Sequence, residues 1–420
     1  MKRKATALPL ISVLLTSLLL VASVPSLKAV SEAPQIEWSK TYPRSPATTP
    51  ENITHIDGGR CFVQTSEGGY AIAGYAIATN GPHGYYNQSA LLIKTDSVGE
   101  AQWRKTYSAE LGYPALSVMQ TEDSGYILST HGGHLLKLDA DGNIQWVKTY
   151  GVSLSASFAI KTSDGSYALA GWMPNGHNFM DALLVKTDQS GFILWNKTLT
   201  TGELFGALVS GLMETKDGGY ALTGQWGNSY FWLATTDSEG NLLVNQTYNV
   251  SNVASYSEAF TSTADGGYIL AWGDGSNAWL VKTDAQGNLR WSRSYTGRTF
   301  VSVAQTVDGG YVAAEDHKLV KTDASGEVQW DTGDLLSDKG LYSVIVTEDG
   351  GYAVTGGSGY NVWLAKFAPE SNVPSPTNRT PPSPTNETPP PFWATVLITF
   401  IIVTVFAAGL GLLIYLMKRK

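Results

Sequence analysis

One short motif constrains this chain more than any other feature. The string "ETKDGGYALTG" (Glu214–Gly224) returns, with small changes, as "QTSEGGYAIAG", "QTEDSGYILST", "KTSDGSYALAG", "STADGGYILAW", "QTVDGGYVAAE" and "VTEDGGYAVTG". Its tyrosines are Tyr70, Tyr126, Tyr167, Tyr220, Tyr268, Tyr311 and Tyr352, spaced by 56, 41, 53, 48, 43 and 41 residues. Self-similarity at this period belongs to solenoids and propellers, in which each repeat is one supersecondary unit.

Each repeat holds four segments of four to seven residues, exemplified by "SVAQT" (Ser302–Thr306), "GYALTG" (Gly219–Gly224), "WLVKTD" (Trp279–Asp284) and "LRWSRSY" (Leu289–Tyr295). They are rich in β-branched and aromatic residues, are bounded by Gly, Asp or Asn, and show no helical period between them. Four short strands per repeat make a propeller blade. Asp-Gly-Gly reads as the hairpin turn between the first and second strands, since glycine supplies positive φ and Asp caps the turn. The recurring Asp-x-x-Gly, as in Asp96–Gly99 and Asp284–Gly287, reads as a type I turn with a glycine bulge between the third and fourth strands. The seventh repeat stops after "VWLAKF", and the missing fourth strand matches "IEWSKTY" (Ile36–Tyr42) near the amino terminus. The sequence therefore predicts an all-β, seven-bladed propeller of four-stranded antiparallel blades over residues 34–368, closed by its amino-terminal strand. Closure removes sheet edges that would invite aggregation. Small first-strand residues such as Ser302 and Ala304 are expected to line the axis.

The flanks place the domain. Residues 1–29, with Lys2-Arg3-Lys4 ahead of an apolar run, read as a signal peptide, the alternative being an uncleaved anchor, for which the run is short. Residues 369–391, dense in proline, read as an extended stalk. Phe392–Met417 carries no charge and is long enough to span a bilayer as a transmembrane helix, and the closing basic tail 418–420 marks its cytoplasmic end. The formal charge is -8; with the six basic residues of the two terminal clusters set aside, 22 basic face 36 acidic residues, a net of -14. That balance argues against a nucleic-acid partner. The localisation expected is a single-pass cell-membrane protein with an extracellular propeller. Sequons stand at Asn52, Asn87, Asn196, Asn245, Asn249, Asn378 and Asn386, so glycosylation is expected on an exported chain. Cys61, the only cysteine, holds a repeat position elsewhere occupied by Ser, Phe, Gly or Ala and reads as a small buried filler.

The repeat, with its Trp-x-Lys-Thr-Tyr strand, Thr-x-Asp-Gly-Gly-Tyr hairpin and Leu-Val-Lys-Thr-Asp strand, resembles one found in many exported bacterial and archaeal proteins. The resemblance covers Glu37–Phe367 and implies a secreted or surface-displayed β-propeller without a settled activity. Departures are local: Val244 replaces the fourth-strand Trp, Thr235 the Lys, and Thr332-Gly333-Asp334 the Lys-Thr-Tyr. "LDADGNIQW" also resembles the repeat of quinoprotein dehydrogenases, which would imply pyrroloquinoline quinone and calcium. Those enzymes usually have eight blades and many carry a disulfide of adjacent cysteines; seven repeats and one cysteine lead to no expected cofactor.

Strand alternation puts both tight turns at one end of every blade and the long, variable connections at the other, where binding residues usually live. Just past the second strands lie Tyr75, His131, Trp172, Gln225, Trp226, Trp272, Glu315 and Asp316, candidates for sugar stacking or protein anchoring or, for the aromatics, for packing between blades. All six histidines (His55, His83, His131, His134, His177 and His317) fall on this face, but no zinc spacing stands out beyond His131-Gly-Gly-His134, and no metal is expected. Asp139-Ala-Asp141-Gly142 resembles the start of a calcium loop, but it lies in a tight turn and reads as a plain Asx turn. No nucleophile elbow, P-loop or His-Glu-x-x-His is present, so no catalytic residue is assigned; Glu315 with Asp274 or Asp316 is the one carboxylate pair a glycosidase could use. The expected function is a cell-surface binding module for a glycan or protein. The alternatives are an extracellular polysaccharide hydrolase or lyase, and a structural envelope protein.

Overall fold

The computed structural model describes residues 32–43, 53–80, 85–111, 114–150, 155–174, 180–199, 207–226, 230–249 and 259–370. The segments expected to form the signal, the span, the basic tail and the stalk beyond Glu370 lie outside them, as do Asn52, Asn378 and Asn386.

Among the described residues, twenty-eight strands form seven four-stranded antiparallel sheets. Blade 1 runs Ile53–Gln64, Tyr70–Asn80, Tyr85–Thr95 and Ala101–Tyr107; blades 2 to 6 repeat the order, ending at Val328–Asp331. Blade 7 takes Lys339–Val346, Tyr352–Ser358 and Asn361–Phe367 from the carboxy-terminal end, and Ile36–Tyr42 as its outer strand. That strand runs antiparallel to the last one, Trp38 opposite Lys366 and Thr41 opposite Trp363. The Trp363 indole N–H donates to Ser39 Oγ at 2.8 Å. First strands of successive blades pack side by side, and that of blade 1 packs against blade 7, so the ring is closed.

Both predicted turns form. Gly68 sits at φ 80° in the first hairpin and Gly99 at φ 77° in the second, conformations that glycine adopts without a Cβ penalty. In the second, Asp96 Oδ1 accepts the N–H groups of Val98 and Glu100, and Asp139 likewise accepts that of Asn143. The Asp139 carboxylate thus caps its own turn, as the Asx reading has it.

Three repeated devices join the blades. In six of the seven blades the fourth-strand Trp packs on the second-strand Tyr of the next: Trp38 on Tyr70, Trp103 on Tyr126, Trp146 on Tyr167, Trp195 on Tyr220, Trp291 on Tyr311 and Trp330 on Tyr352. Four of the pairs are edge-to-face and two, Trp146 on Tyr167 and Trp291 on Tyr311, are tilted; aromatic pairs of this kind add ~0.5–1.5 kcal/mol to the burial. The indole of Trp38 also lies over Gly99 of blade 1, where an added Cβ would sit 2.5 Å from it, so this glycine serves both turn and neighbour. In the second device the Tyr at the end of a fourth strand donates to that same turn: Tyr42 to Gly99 O, Tyr107 to Gly142 O and Tyr295 to Gly326 O. The third device belongs to the first strands. Ser302 Oγ accepts Val344 N–H of the next blade, and Ser117 Oγ accepts Ala159 N–H. Ser302 therefore reaches sideways to fasten its neighbour, and Ala304 packs into the core between blades 6 and 7, where the sequence suggested residues lining the axis. Cys61 occupies the Ser117 position, and its sulfur takes the Val118 N–H; burial pushes the thiol up to about 12. It is a latch, chemically quiet at neutral pH.

Within each blade the Lys of the third strand turns under the first hairpin. Lys137 Nζ meets Asp123 Oδ2 at 2.8 Å and Thr121 Oγ1 at 2.8 Å; Lys186 meets Asp164, Lys282 meets Asp265, Lys321 meets Asp308 and Lys366 meets Asp349. Lys94 pairs with Glu67 in blade 1, and Thr235 takes the Lys position in blade 4.

Candidate functional site

The candidate residues at the variable-loop end are set by their count from the anchoring tyrosine. Four residues on come Gly74, Thr130, Gly171, Gly224, Trp272, Glu315 and Gly356, all buried. The reason is crowding: a Cβ on Gly74, Gly224 or Gly356 would lie 1.9 Å from a first-strand carbonyl oxygen. Five residues on, the chain faces the other way, and Tyr75, Trp172, Gln225 and Asp316 are half-buried while His131 is exposed. Successive strand residues point to opposite faces, so the eight candidates separate into two sets.

Trp272 belongs to the buried set. It is 0 % exposed, stacked between Phe231 (centroids 5.0 Å apart) and Trp279 (6.4 Å). It packs between blades 4 and 5 and offers no surface to a ligand. Glu315, 8 % exposed, holds a neighbouring connection: its Oε1 accepts Arg298 N–H at 2.9 Å, and Lys318 lies 3.3 Å from Oε2. Asp274 is likewise occupied, Oδ1 accepting Ser276 and Asn277 N–H and Oδ2 the Trp279 indole. Burial works against its ionisation, but these bonds outweigh it and hold the carboxyl below its usual range. Asp274 is therefore not poised to give a proton at neutral pH. Trp226 closes its strand opposite Tyr230.

Of the accessible set, Tyr75 covers Gly58, where an added Cβ would sit 2.6 Å from the phenol carbon. His131 and His134 flank a two-glycine turn with φ of 100° and 77°. Both imidazoles are shifted down by burial, His131 also by Arg60, so they are neutral at pH 7. His134 Nδ1 bonds Thr149 Oγ1 at 3.0 Å. No group of three metal-ligating side chains occurs among the described residues. Asn196 and Asn245 lie exposed on the outer strands of blades 3 and 4, and Asn87 and Asn249 lie on strands of blades 1 and 4.

None of the ligand-binding candidates lies at the opposite end of the blades. There, among the described residues, clefts between adjacent blades include two built alike. One, of about 350 Å³, lies between blades 1 and 2 and is lined by Glu67, Lys94, Gln102, Trp103, Tyr126 and Asp141, among others. The other, of about 540 Å³, lies between blades 5 and 6 and includes Asp265, Lys282, Arg290, Trp291, Gln305 and Tyr311. The signal was present in the repeat itself, because the same motif positions recur in both walls.

No protein-family model matches the chain, and no curated protein matches it by sequence. Solved structures do. The WD40 propeller domain of Doa1 is similar at 14% identity and a TM-score of 0.51, over 76% of this chain and 96% of that one. The Pan2 WD40 domain of Neurospora crassa is similar at 12% identity and 0.51, over 75% and 90%. BamB of Moraxella catarrhalis aligns at 14% identity and 0.43, over 75% and 100%. At these identities the likeness establishes the fold alone: the chain is a β-propeller.

Proposed function

We propose that the protein is an exported, membrane-anchored interaction module whose propeller presents its variable-loop end to a glycan or a protein. Its reach from the membrane would come from the proline-rich stalk, and its orientation from the carboxy-terminal span. The observation that carries the reading is the accessible set itself. Tyr75, His131, Trp172, Gln225 and Asp316 share one repeat position on a closed, rigid ring, while the connections around them vary in length and composition. A rigid scaffold with variable loops is the usual arrangement for recognition, and propellers characteristically serve as interaction modules. The alternative of a polysaccharide hydrolase or lyase draws no support from Glu315 or Asp274, whose carboxylates are engaged in holding loops. The resemblance of the repeat to exported propellers supports the location.

The test uses the full chain in mild detergent, applied to a glycan array and to surface proteins of its own cell. Trp172→Ala combined with His131→Ala is expected to weaken retention at least tenfold with the fold intact by circular dichroism. No retention on any sugar or surface protein, or retention indifferent to the pair, counts against the reading.

A further inference from the structure

We propose that the tight-turn end of the propeller is a second, multivalent binding surface, and that its inter-blade clefts take neutral sugar residues. The argument is independent of the variable-loop reading, since the two surfaces share no residue.

The clefts between blades 1 and 2 and between blades 5 and 6 are built by the same repeat positions. Trp103 in one stands where Trp291 stands in the other; Lys94 corresponds to Lys282, and Tyr126 to Tyr311. In each, the indole is half-buried and rests against a tyrosine that is 1 to 2 % exposed, edge-on in the first cleft and tilted in the second, so the ring is fixed while part of it faces the cleft. The volumes, about 350 and 540 Å³, fall in the range of ~300–1,000 Å³ that small-molecule sites occupy.

The chemistry of the walls selects the ligand. A fixed indole offers an apolar plane to the C–H face of a pyranose, with Gln102 and Asp141, or Arg290 and Gln305, placed for its hydroxyls. Charge excludes the obvious competitors. The first cleft sets Glu67, Asp96 and Asp141 against Lys94, and the second sets Asp265 and Asp284 against Lys282 and Arg290. Their nets of -2 and 0 do not attract a phosphate, sulfate or uronate. Nor are the lysines available to an anion: Lys94 Nζ is spent on Thr65 Oγ1, Glu67 and Thr95 O, and Lys282 Nζ on Asp265 and Thr283 O.

The repeat multiplies the site. Trp38, Trp146 and Trp195 are half-buried at three further junctions. Two junctions offer no accessible indole. Val244 removes the indole between blades 4 and 5, and between blades 6 and 7 Trp330 is 1 % exposed with its N–H bonded to Glu370 at 3.1 Å. Five spaced indoles suit a polymer of repeating neutral sugars, where weak individual contacts gain by avidity.

The full chain in mild detergent is applied to an array of neutral hexose and N-acetylhexosamine oligosaccharides, with uronate and sulfated oligosaccharides as charge controls. Retention on at least one neutral oligosaccharide is expected, weakened tenfold or more by the pair Gln102→Ala and Arg290→Ala, both exposed positions. A Leu335→Ala variant, exposed on the connection between blades 6 and 7 and part of neither proposed site, leaves this retention unchanged. Tryptophan fluorescence shifts on titration with the retained sugar, and less so in the cleft variant. Circular dichroism and the melting temperature of each variant establish that the fold persists. Retention confined to the charged sugars, no retention at all, or retention unaltered by the cleft pair would overturn the proposal. So would loss of retention in Trp172→Ala alone, which would move the sugar to the variable-loop end.

Discussion

Replacing Lys321 by Met is a direct test of what holds each blade's hairpin in place. Lys321 is 0 % exposed. Its ammonium donates to Asp308 Oδ2 at 2.8 Å, Gln329 Oε1 at 2.6 Å and Thr322 O at 3.0 Å. Methionine keeps most of the stem and removes all three bonds. Breaking a buried ion pair from one side costs ~3–5 kcal/mol, chiefly because the partner is left desolvated. Here Asp308 keeps two donors, Thr306 Oγ1–H and Gly310 N–H, and its side chain is 29 % exposed, so water reaches it. The lower end applies, about 3 kcal/mol. At roughly 2 °C per kcal/mol for a domain of this size, the melting temperature falls by about 6 °C. Asp308→Asn leaves an ammonium in a site without solvent and should cost at least as much. The double variant, losing both charges together, should be less damaged than the two single losses added, with a coupling of ~2 kcal/mol. Blade 4 shows that the fold tolerates the absence of the pair, with Thr235 buried where the Lys would be. Equilibrium urea unfolding of the four proteins, followed by tryptophan fluorescence, measures the cycle. A Lys321→Met variant within ~0.5 kcal/mol of the parent, or strictly additive losses, would refute the reasoning.

Four further outcomes are expected. The hairpin acids impose an acid limit. The Lys137 ammonium and the Thr121 hydroxyl hold Asp123 down at about 2, and Glu67 is held at about 2 against the upward push of burial by Thr65, its own N–H and Lys94. Both folded values lie below the unfolded ones of ~4, so this stabilisation is full above ~pH 4 and is lost as pH falls toward 2, which urea midpoints across that range would register. Ser124 is the one non-glycine with positive φ among the described residues, at 61°, where its sister turns have glycine; Ser124→Gly should raise stability by ~0.5–1 kcal/mol, and a lower urea midpoint would contradict this. Cys61→Ser should be neutral within ~0.5 kcal/mol, since the oxygen takes over the Val118 N–H, and the native thiol should resist alkylation at pH 8 until the chain unfolds. Tyr42→Phe removes a buried 2.9 Å bond to Gly99 O at the closure seam and should cost about 1 kcal/mol, read from the same unfolding curves.

The repeat made the architecture legible before any coordinates. Hairpin glycines, strand-length segments and the stray Ile36–Tyr42 strand are local signals, and local signals sufficed to count blades, order strands and close the ring. The tightness of the two turns and the end at which they lie follow from the same reasoning. The pairing of the third-strand Lys with the hairpin acid escaped the sequence, because those residues are 13 to 27 positions apart and only strand register brings them under one turn. The candidate site was half legible. Counting from the tyrosines located Tyr75, His131, Trp172 and Asp316, but a one-residue offset puts Trp272 and Glu315 on the opposite strand face, in the crowded packing between blades. Junctions also depend on what the next blade brings. Trp103 and Trp330 occupy the same motif position, yet one is half-buried beside an open cleft and the other is 1 % exposed beneath Glu370. A repeat motif is written within one blade, while exposure is decided between two, and that is why the chain alone determined the wheel and only its assembly decided where a ligand can enter.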